Sequence, residues 1–540
     1  MLHEKPARGS TPQPDHIMIS LNGDAKTCMA VTWRTSTDVT DGYVLYREYG
    51  TDEYQKHIAE TEVFESDIDI SNIFWAKLNG LKPGTKYYYT CGNDTYRSEE
   101  YFFTTQPESI KKFKFLVVSD QQKGDPFETP DYSYFNTLIK DFLKKHPDTA
   151  FILTAGDNTD CGQHEQQWNG AFLGWKGIAE YVPIMFTEGN HDTRGFKDYR
   201  TGTGRYYSEP AEFFCKQLKG SYPYNGPEGW KTENYTFDYA NAHFTVLGVN
   251  GPEDVNAWLV NDLKNSKADW NIGTYHFPVC YTGSDCQNYD CYPVMTEGME
   301  MLDLLFSGHE HSFGRSFPRK NEELFEQPSK GMINYIMGNS NQNPPGTRSL
   351  SKVWHSAFYP MEDRTSMVAV AEVEGKKLTI TAELEDGRIA DKCIIDKERD
   401  LIEPYALAPY FNRTRMMYKG ADLGLCQYQT TCEEHDGVWF GCLCVLFSYF
   451  GGFVQKTENQ VYLEGYGHWA RFTQDSDIAE TDRGEVKLEK AVYRNAERKN
   501  QLYIPMNAVE IFDMRWAYAK RNNFILVEHE SEDKPITVQP

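Results

Sequence analysis

The sequence predicts a multidomain chain: an all-β sandwich, then an α/β domain, then an α+β extension of unknown fold. Three observations carry this. From His16 to about Thr105, short alternating strands are separated by turns. From Lys112 to about 398, apolar strands alternate with an amphipathic helical pattern, and polar residues cluster where the strands end. From about 400 to 540 neither pattern holds. The expected domains are therefore 13–107, 112–398 and 400–540.

Each element has its own signal. Residues 1–15 are polar and contain proline, which reads as a loose arm. Alternation in Met29–Trp33 and Tyr43–Tyr46 marks two strands. Leu81-Lys82-Pro83-Gly84-Thr85 is a turn that feeds Tyr87–Tyr89, and Tyr101–Phe103 follows. Strands this short and this regularly spaced fit a sandwich. Gln106–Ser109 reads as a linker. In the second domain Phe113–Val118 ends at Ser119-Asp120. Phe135, Leu138, Ile139, Phe142 and Leu143 fall on one helical face. Ala150–Leu153 runs into Gly156-Asp157, and Val182–Phe186 into Gly189-Asn190-His191-Asp192. Phe244–Val249, Asn271–Tyr275 and Leu302–Phe306 are further strands, and Val368–Val373 with Leu378–Ala382 form a hairpin. In the extension, Asn507–Arg521 reads as a helix.

Composition narrows the partners. Lys+Arg is 55 and Asp+Glu is 79 in 540 residues, a net charge of −24. That argues against gripping nucleic acid or an anionic membrane by overall attraction. An anionic ligand then needs a local cation, such as a metal. Twelve cysteines are too sparse for a disulfide scaffold. Cys280, Cys286 and Cys291, and Cys426, Cys432, Cys442 and Cys444, cluster without zinc-ribbon spacing, which leaves disulfides and buried thiols both open. The first residues carry no apolar h-region, so no signal peptide is expected. Gly437–Val454 is 18 residues without charge, at the short limit for a membrane span. A buried strand pair around a glycine turn, or a core helix, is the preferred reading.

Five polar motifs follow one another at predicted strand ends. They are Asp120 in SDQQ, Asp157 in GDNTD, Asn190-His191 in GNHD, His276 in TYHFP, and His309 with His311 in GHEHSFGR. Carboxylates, imidazoles and an amide oxygen suit borderline or hard cations. One carboxylate bridging two cations holds a hydroxide between them, and the pair neutralises charge in an in-line phosphoryl displacement.

In this ordered set the chain resembles the calcineurin-like metallophosphoesterase superfamily. It is more narrowly similar to the purple acid phosphatase branch, whose N-terminal fibronectin type III-like domain carries strands like Val31-Thr32-Trp33-Arg34-Thr35 and Leu81–Tyr89. The resemblance spans about 13–395 and implies a four-layer αββα catalytic domain. It implies two divalent or trivalent metal ions drawn from iron, zinc or manganese, with magnesium as an alternative. Asp157 would bridge them, Asp120 and His311 would bind the first, and Asn190, His276 and His309 the second. His191 would contact phosphate and act as general acid, with Asp192 either fixing its tautomer or capping a turn.

Three features depart from the family pattern: two positions, and the stretch of only about 16 residues from Tyr292 to Gly308, where the family usually has a longer helix and often another substrate-facing His in the preceding loop. Gln122 stands where D-x-H or D-x-G is usual, and Asp160 replaces the tyrosine that colours the purple branch. Gln122, Asp160 or a water completes the first shell, and a non-purple site with iron(II), manganese or magnesium is expected. Arg194 and Arg315 are candidate substrate contacts, with His355 behind them, and His164 and Trp168 follow GDNTD closely enough to line the cleft. Asn339–Pro345 is a rim or simply a turn. The expectation is an acid phosphatase-like hydrolase of small phosphomonoesters, with phosphodiesters also in reach and no nucleic acid partner. The branch suggests a secreted or cell-surface protein, with a cytosolic one as the alternative. The alternative is a non-catalytic binding or adhesion protein on a degraded scaffold.

Overall fold

The computed structural model describes residues 9–124, 129–195, 210–283, 292–344, 349, 352, 354–361, 363–405, 414–419, 421–423, 432–496, 500–520 and 523–531. Cys286, Cys291, Cys426 and Pro345 lie outside them. The chain forms two compact units, Met1–Thr347 with Met361–Tyr405, and Arg348–Pro360 with Ala406–Pro540. The boundary expected near 400 thus shifts to about 405, and residues 348–360 belong with the second unit. The shift has a local reason: Leu401–Glu403 pairs with Ile389–Asp396 and extends the sheet that contains it.

The N-terminal strands form two four-stranded antiparallel sheets. Their inner faces meet where Gly42 lies against the rings of Trp33 and Phe74, so a side chain there would collide. The expected loose arm is tied down from Ser10 onward, whose amide donates to Asp69 Oδ2 at 2.6 Å. Arg34, buried, pairs with Asp15 at 2.7 Å and with the buried Glu165 of the next domain.

That next domain is built on two stacked mixed sheets. The first runs Ile184–Met185, Thr149–Thr154, Lys112–Val118, Met367–Glu374, Lys377–Leu384, Ile389–Asp396, Leu401–Glu403. The second contains Tyr235–Tyr239, Ala242–Leu247, Trp270–Tyr275, Leu304–Ser307, Ile333–Met337 and Phe313–Ser316 in that order. Phe115 and Phe151 of the first sheet meet Phe244 of the second at 5.3 and 5.2 Å between ring centres. The helix Ser133–Lys145 buries Phe135, Leu138, Ile139 and Phe142, as its periodicity predicts. Two strands differ from expectation: Val182–Phe186 is regular only at Ile184–Met185, and the Phe244–Val249 strand runs Ala242–Leu247.

The second unit is mostly β. Its largest sheet is a five-stranded meander from Phe453 to Lys487. The uncharged run 437–454 resolves into the strand Val438–Gly441, the eight-residue helix Leu443–Phe450 and a left-handed Gly451. No described helix is long and apolar enough to cross a membrane. The expected helix at 507–521 is a 3-10 turn, Met506–Phe512, followed by the strand Met514–Ala519. Asp513, in the left-handed region at φ 55°, breaks the helix between them. All nine described cysteines are free thiols.

Candidate metal centre

The carboxyl ends of five strands converge on one site. Lys112–Val118 delivers Asp120, Thr149–Thr154 delivers Asp157, and Ile184–Met185 leads to Asn190. Trp270–Tyr275 delivers His276, and Leu304–Ser307 delivers His309 and His311. Asp120, Asp157, His309 and His311 all adopt left-handed backbone, at φ 50°, 54°, 72° and 51°. Such conformations cost about 1–3 kcal/mol each in non-glycine residues and cluster at functional sites. Gly156, at φ 94°, passes so close to His276 that any Cβ would strike the imidazole. The glycines of GD and GH are therefore packing requirements: at Gly308 a side chain would meet Ser119 and Asp120.

Backbone carbonyls fix which ring nitrogen faces inward. His276 Nδ1–H donates to the Ala155 carbonyl at 2.8 Å, which leaves Nε2 pointing at Asp157 Oδ2 and Asn190 Oδ1, both 3.1 Å away. His309 Nδ1 lies 2.9 Å from the same Asn190 Oδ1. His311 Nδ1–H donates to the Pro344 carbonyl at 2.6 Å, and its Nε2 lies 3.4 Å from Asp120 Oδ1. The donor atoms of Asp157, His276 and His309 lie within 4.8 Å of one another, as do those of Asp120, Asp157 and His311. Asp157 belongs to both groups, the position a bridging carboxylate requires. Two inward-facing donor sets of carboxylate and imidazole are the chemistry of a pair of cations.

The charged groups of the site act strongly on one another. Burial alone would raise the Asp157 carboxyl, but the imidazoles of His191, His276 and His309 hold it far below the usual carboxylate range. Burial opposes charge on His276, yet Asp157 overrides it and raises the imidazole to about 9. His309 is pushed down to about 3 by burial and by His276 beside it. Asp157 is thus a permanent anion in a dry site, and the rings around it compete to neutralise it.

Comparison with known proteins places this geometry. Residues 14–105 match the family model of the purple acid phosphatase N-terminal domain, and 113–313 match that of calcineurin-like phosphoesterases. Residues 113–313 thus belong with the calcineurin-like phosphoesterases, and residues 14–105 with the N-terminal domain of purple acid phosphatases. Purple acid phosphatase 15 of Arabidopsis thaliana is 27% identical over 293 residues, 47% of this chain and 51% of that one. For purple acid phosphatase 21 of the same plant the figures are 26% over 329 residues, 57% and 68%. The chain thus spans about half the length of the first of these relatives and about two thirds of the second. Purple acid phosphatase PPD1 from yellow lupin seeds shares the fold, with a TM-score of 0.58 at 16% identity over 73% of this chain and 78% of that one.

Against the purple acid phosphatase pattern, several expected residues take other places. His191 Nδ1 lies 2.9 Å from Asp160 Oδ1, and its Nε2 lies 3.7 Å from Asp157 Oδ2. Asp160, not Asp192, is therefore the carboxylate on His191. Asp192 is fully buried and accepts from the amides of Gly189 and Thr159, the Asn158 side chain and the Thr159 hydroxyl, at 2.8–2.9 Å. It ties the GNHD loop to the GDNTD loop. Burial and the Asp157 charge raise its carboxyl to about 6. Arg194 reaches the site edge, donating to the Asp160 carbonyl at 3.0 Å and to Oδ1 at 3.2 Å, with His191 also in contact.

Arg315 is no substrate contact: it is buried in a two-pronged pair with Asp391 at 2.6 and 3.1 Å. His355 is buried with Nδ1 accepting from the Lys352 amide. Trp168 is buried and donates to the Gly162 carbonyl, so it lines no cleft, while His164 Nδ1 pairs with Asp67. Sequence reasoning gave the 339–344 loop no role beyond rim or turn. Asn343 Nδ2 donates to the Asp120 carbonyl at 2.7 Å and the Gln122 carbonyl at 3.1 Å. The run of asparagines was the available signal.

Proposed function

We propose that this chain is a dinuclear metal-dependent phosphoesterase acting on small phosphomonoesters, with Asp120, Asp157 and His311 holding one cation and Asp157, Asn190, His276 and His309 the other. The observation that carries this reading is Asp157 shared between two donor groups. When bound, the cations supply an activated water and offset the charge of the phosphoryl group in flight.

The chain's own residues do the rest. Ala155 and Pro344 carbonyls lock His276 and His311 in the tautomer that presents Nε2 to the site. Asp160 accepts the Nδ1–H of His191, so its Nε2 faces the reacting groups and carries a proton to the leaving oxygen. Arg194, held beside Asp160, orients the His191–Asp160 pair and presents positive charge to an anionic substrate. Export remains the reading that the branch favours, though the nine free thiols among the described residues speak for a reducing setting.

The test is hydrolysis of a nitrophenyl phosphate by metal-reconstituted protein. Activity that needs added divalent cation, and that Asp157→Asn abolishes, is the expected result. Equal turnover in the metal-stripped protein would overturn the reading.

A further inference from the structure

We propose that Gln122 supplies its amide oxygen to the first cation, and that this position takes a divalent, oxygen-preferring cation instead of a phenolate-bound ferric ion. The proposal rests on the dinuclear reading above and goes on to assign the residue that completes its first half.

Gln122 is buried at 4% exposure, so its amide must be satisfied by its surroundings. One orientation does this for the Nε2 end of the amide. Nε2 donates to the carbonyls of Asp120 and Asp157 at 3.0 and 3.2 Å, and Oε1 faces His311 Nε2 at 3.1 Å. The reverse orientation accepts from Asn343 at 3.4 Å and turns Nε2 toward His311 Nε2 at 3.1 Å and Asp157 Oδ2 at 3.4 Å, but it sets Oε1 against the two carbonyl oxygens. The end of the amide that faces His311 is also 3.4 Å from Asp157 Oδ2.

His311 spends its Nδ1–H on the Pro344 carbonyl, so a neutral ring offers Nε2 as a lone pair. Asp120 Oδ1 lies 3.4 Å from that nitrogen. Lone pairs of an amide, an imidazole and two carboxylates then meet in one place. Facing one another alone they repel, and a single cation satisfies all of them. The 339–344 loop fixes both arms: Asn343 holds the backbone of Asp120 and Gln122, and Pro344 holds His311.

Asp160 does not complete this shell. Its Oδ1 already accepts from His191 and Arg194, and it belongs to neither donor group among the described residues. A set of two carboxylates, one amide oxygen and one imidazole, with no phenolate or thiolate, suits manganese(II), magnesium or iron(II).

The test is titration of the metal-stripped full-length chain with Mn2+, free Mn2+ being read by electron paramagnetic resonance and thermal melting serving as fold control. The wild type is expected to bind two ions. Gln122→Ala and Asn343→Ala should each weaken one of them by about tenfold or more. Gln122→Glu, which keeps an oxygen donor, should retain both, and so should Asp160→Ala. Two ions bound at wild-type affinity by Gln122→Ala would overturn the proposal, as would loss of one ion in Asp160→Ala. A wild type that binds no Mn2+ would overturn the dinuclear reading itself, a separate and recognisable outcome.

Discussion

Asp160 Oδ1 sits 2.9 Å from His191 Nδ1, in the place where the purple branch carries a tyrosine. On the family pattern the exchange would take a phenolate out of the metal shell, and it gives the imidazole an anionic partner. Burial alone would raise the Asp160 carboxyl, but the His191 hydrogen bond and Arg194 keep it below the ordinary carboxylate range. It is therefore an anion wherever His191 works.

From this follows a kinetic prediction. Asp160→Ala should lower kcat by about 10- to 100-fold and leave KM within a few-fold, because it disturbs proton transfer more than binding. Asp160→Asn, whose amide oxygen still accepts the Nδ1–H, should lose less. Steady-state kinetics on a nitrophenyl phosphate decide it, and an unchanged kcat in Asp160→Ala would contradict the pairing.

Arg315 provides a contrast. Its guanidinium is buried against Asp391, so the pair is structural. Removing one partner of a buried ion pair leaves an uncompensated charge, at a cost of about 3–5 kcal/mol. Asp391→Ala should show that loss in urea unfolding, with KM of the remaining folded enzyme unchanged. A selective rise in KM at full stability would restore Arg315 to the substrate site.

His243 predicts a pH dependence of stability. It lies on Ala242–Leu247 between Asp238 and Asp262, each 2.7 Å from a ring nitrogen. Burial opposes its charge, but the two carboxylates raise it from 6.5 to about 9. A raised folded-state value means stability that is fully present below about 6.5 and lost as pH climbs through about 9. The amount is on the order of 2–3 kcal/mol. His243→Gln should flatten the unfolding free energy across that window, as followed by urea titration at several pH values.

Much of this was legible in the sequence because it depends on local pattern. Alternation at Met29–Trp33 and helical spacing from Phe135 to Leu143 are short-range signals, and the structure follows them. The candidate ligand residues were legible because each follows the end of a strand. What was hidden depends on contacts far apart in the chain. Arg315 and Asp391 are 76 residues apart, and nothing in either neighbourhood announces their pairing. The sequence left Asp192 either on His191 or capping a turn; the partner of His191 was hidden because Asp160 reaches it across 31 residues. The run 507–521 has helical composition, but the left-handed turn at Asp513 redirects it into a strand.

The most direct test of the central claim is metal content paired with activity. Protein purified without chelator and reconstituted with manganese should hold two ions per chain and hydrolyse a nitrophenyl phosphate. Asp157→Asn should lose both the second equivalent of metal and the turnover together. Full activity with one ion or none, or an Asp157→Asn variant that keeps two ions and wild-type turnover, would contradict a carboxylate shared between two cations.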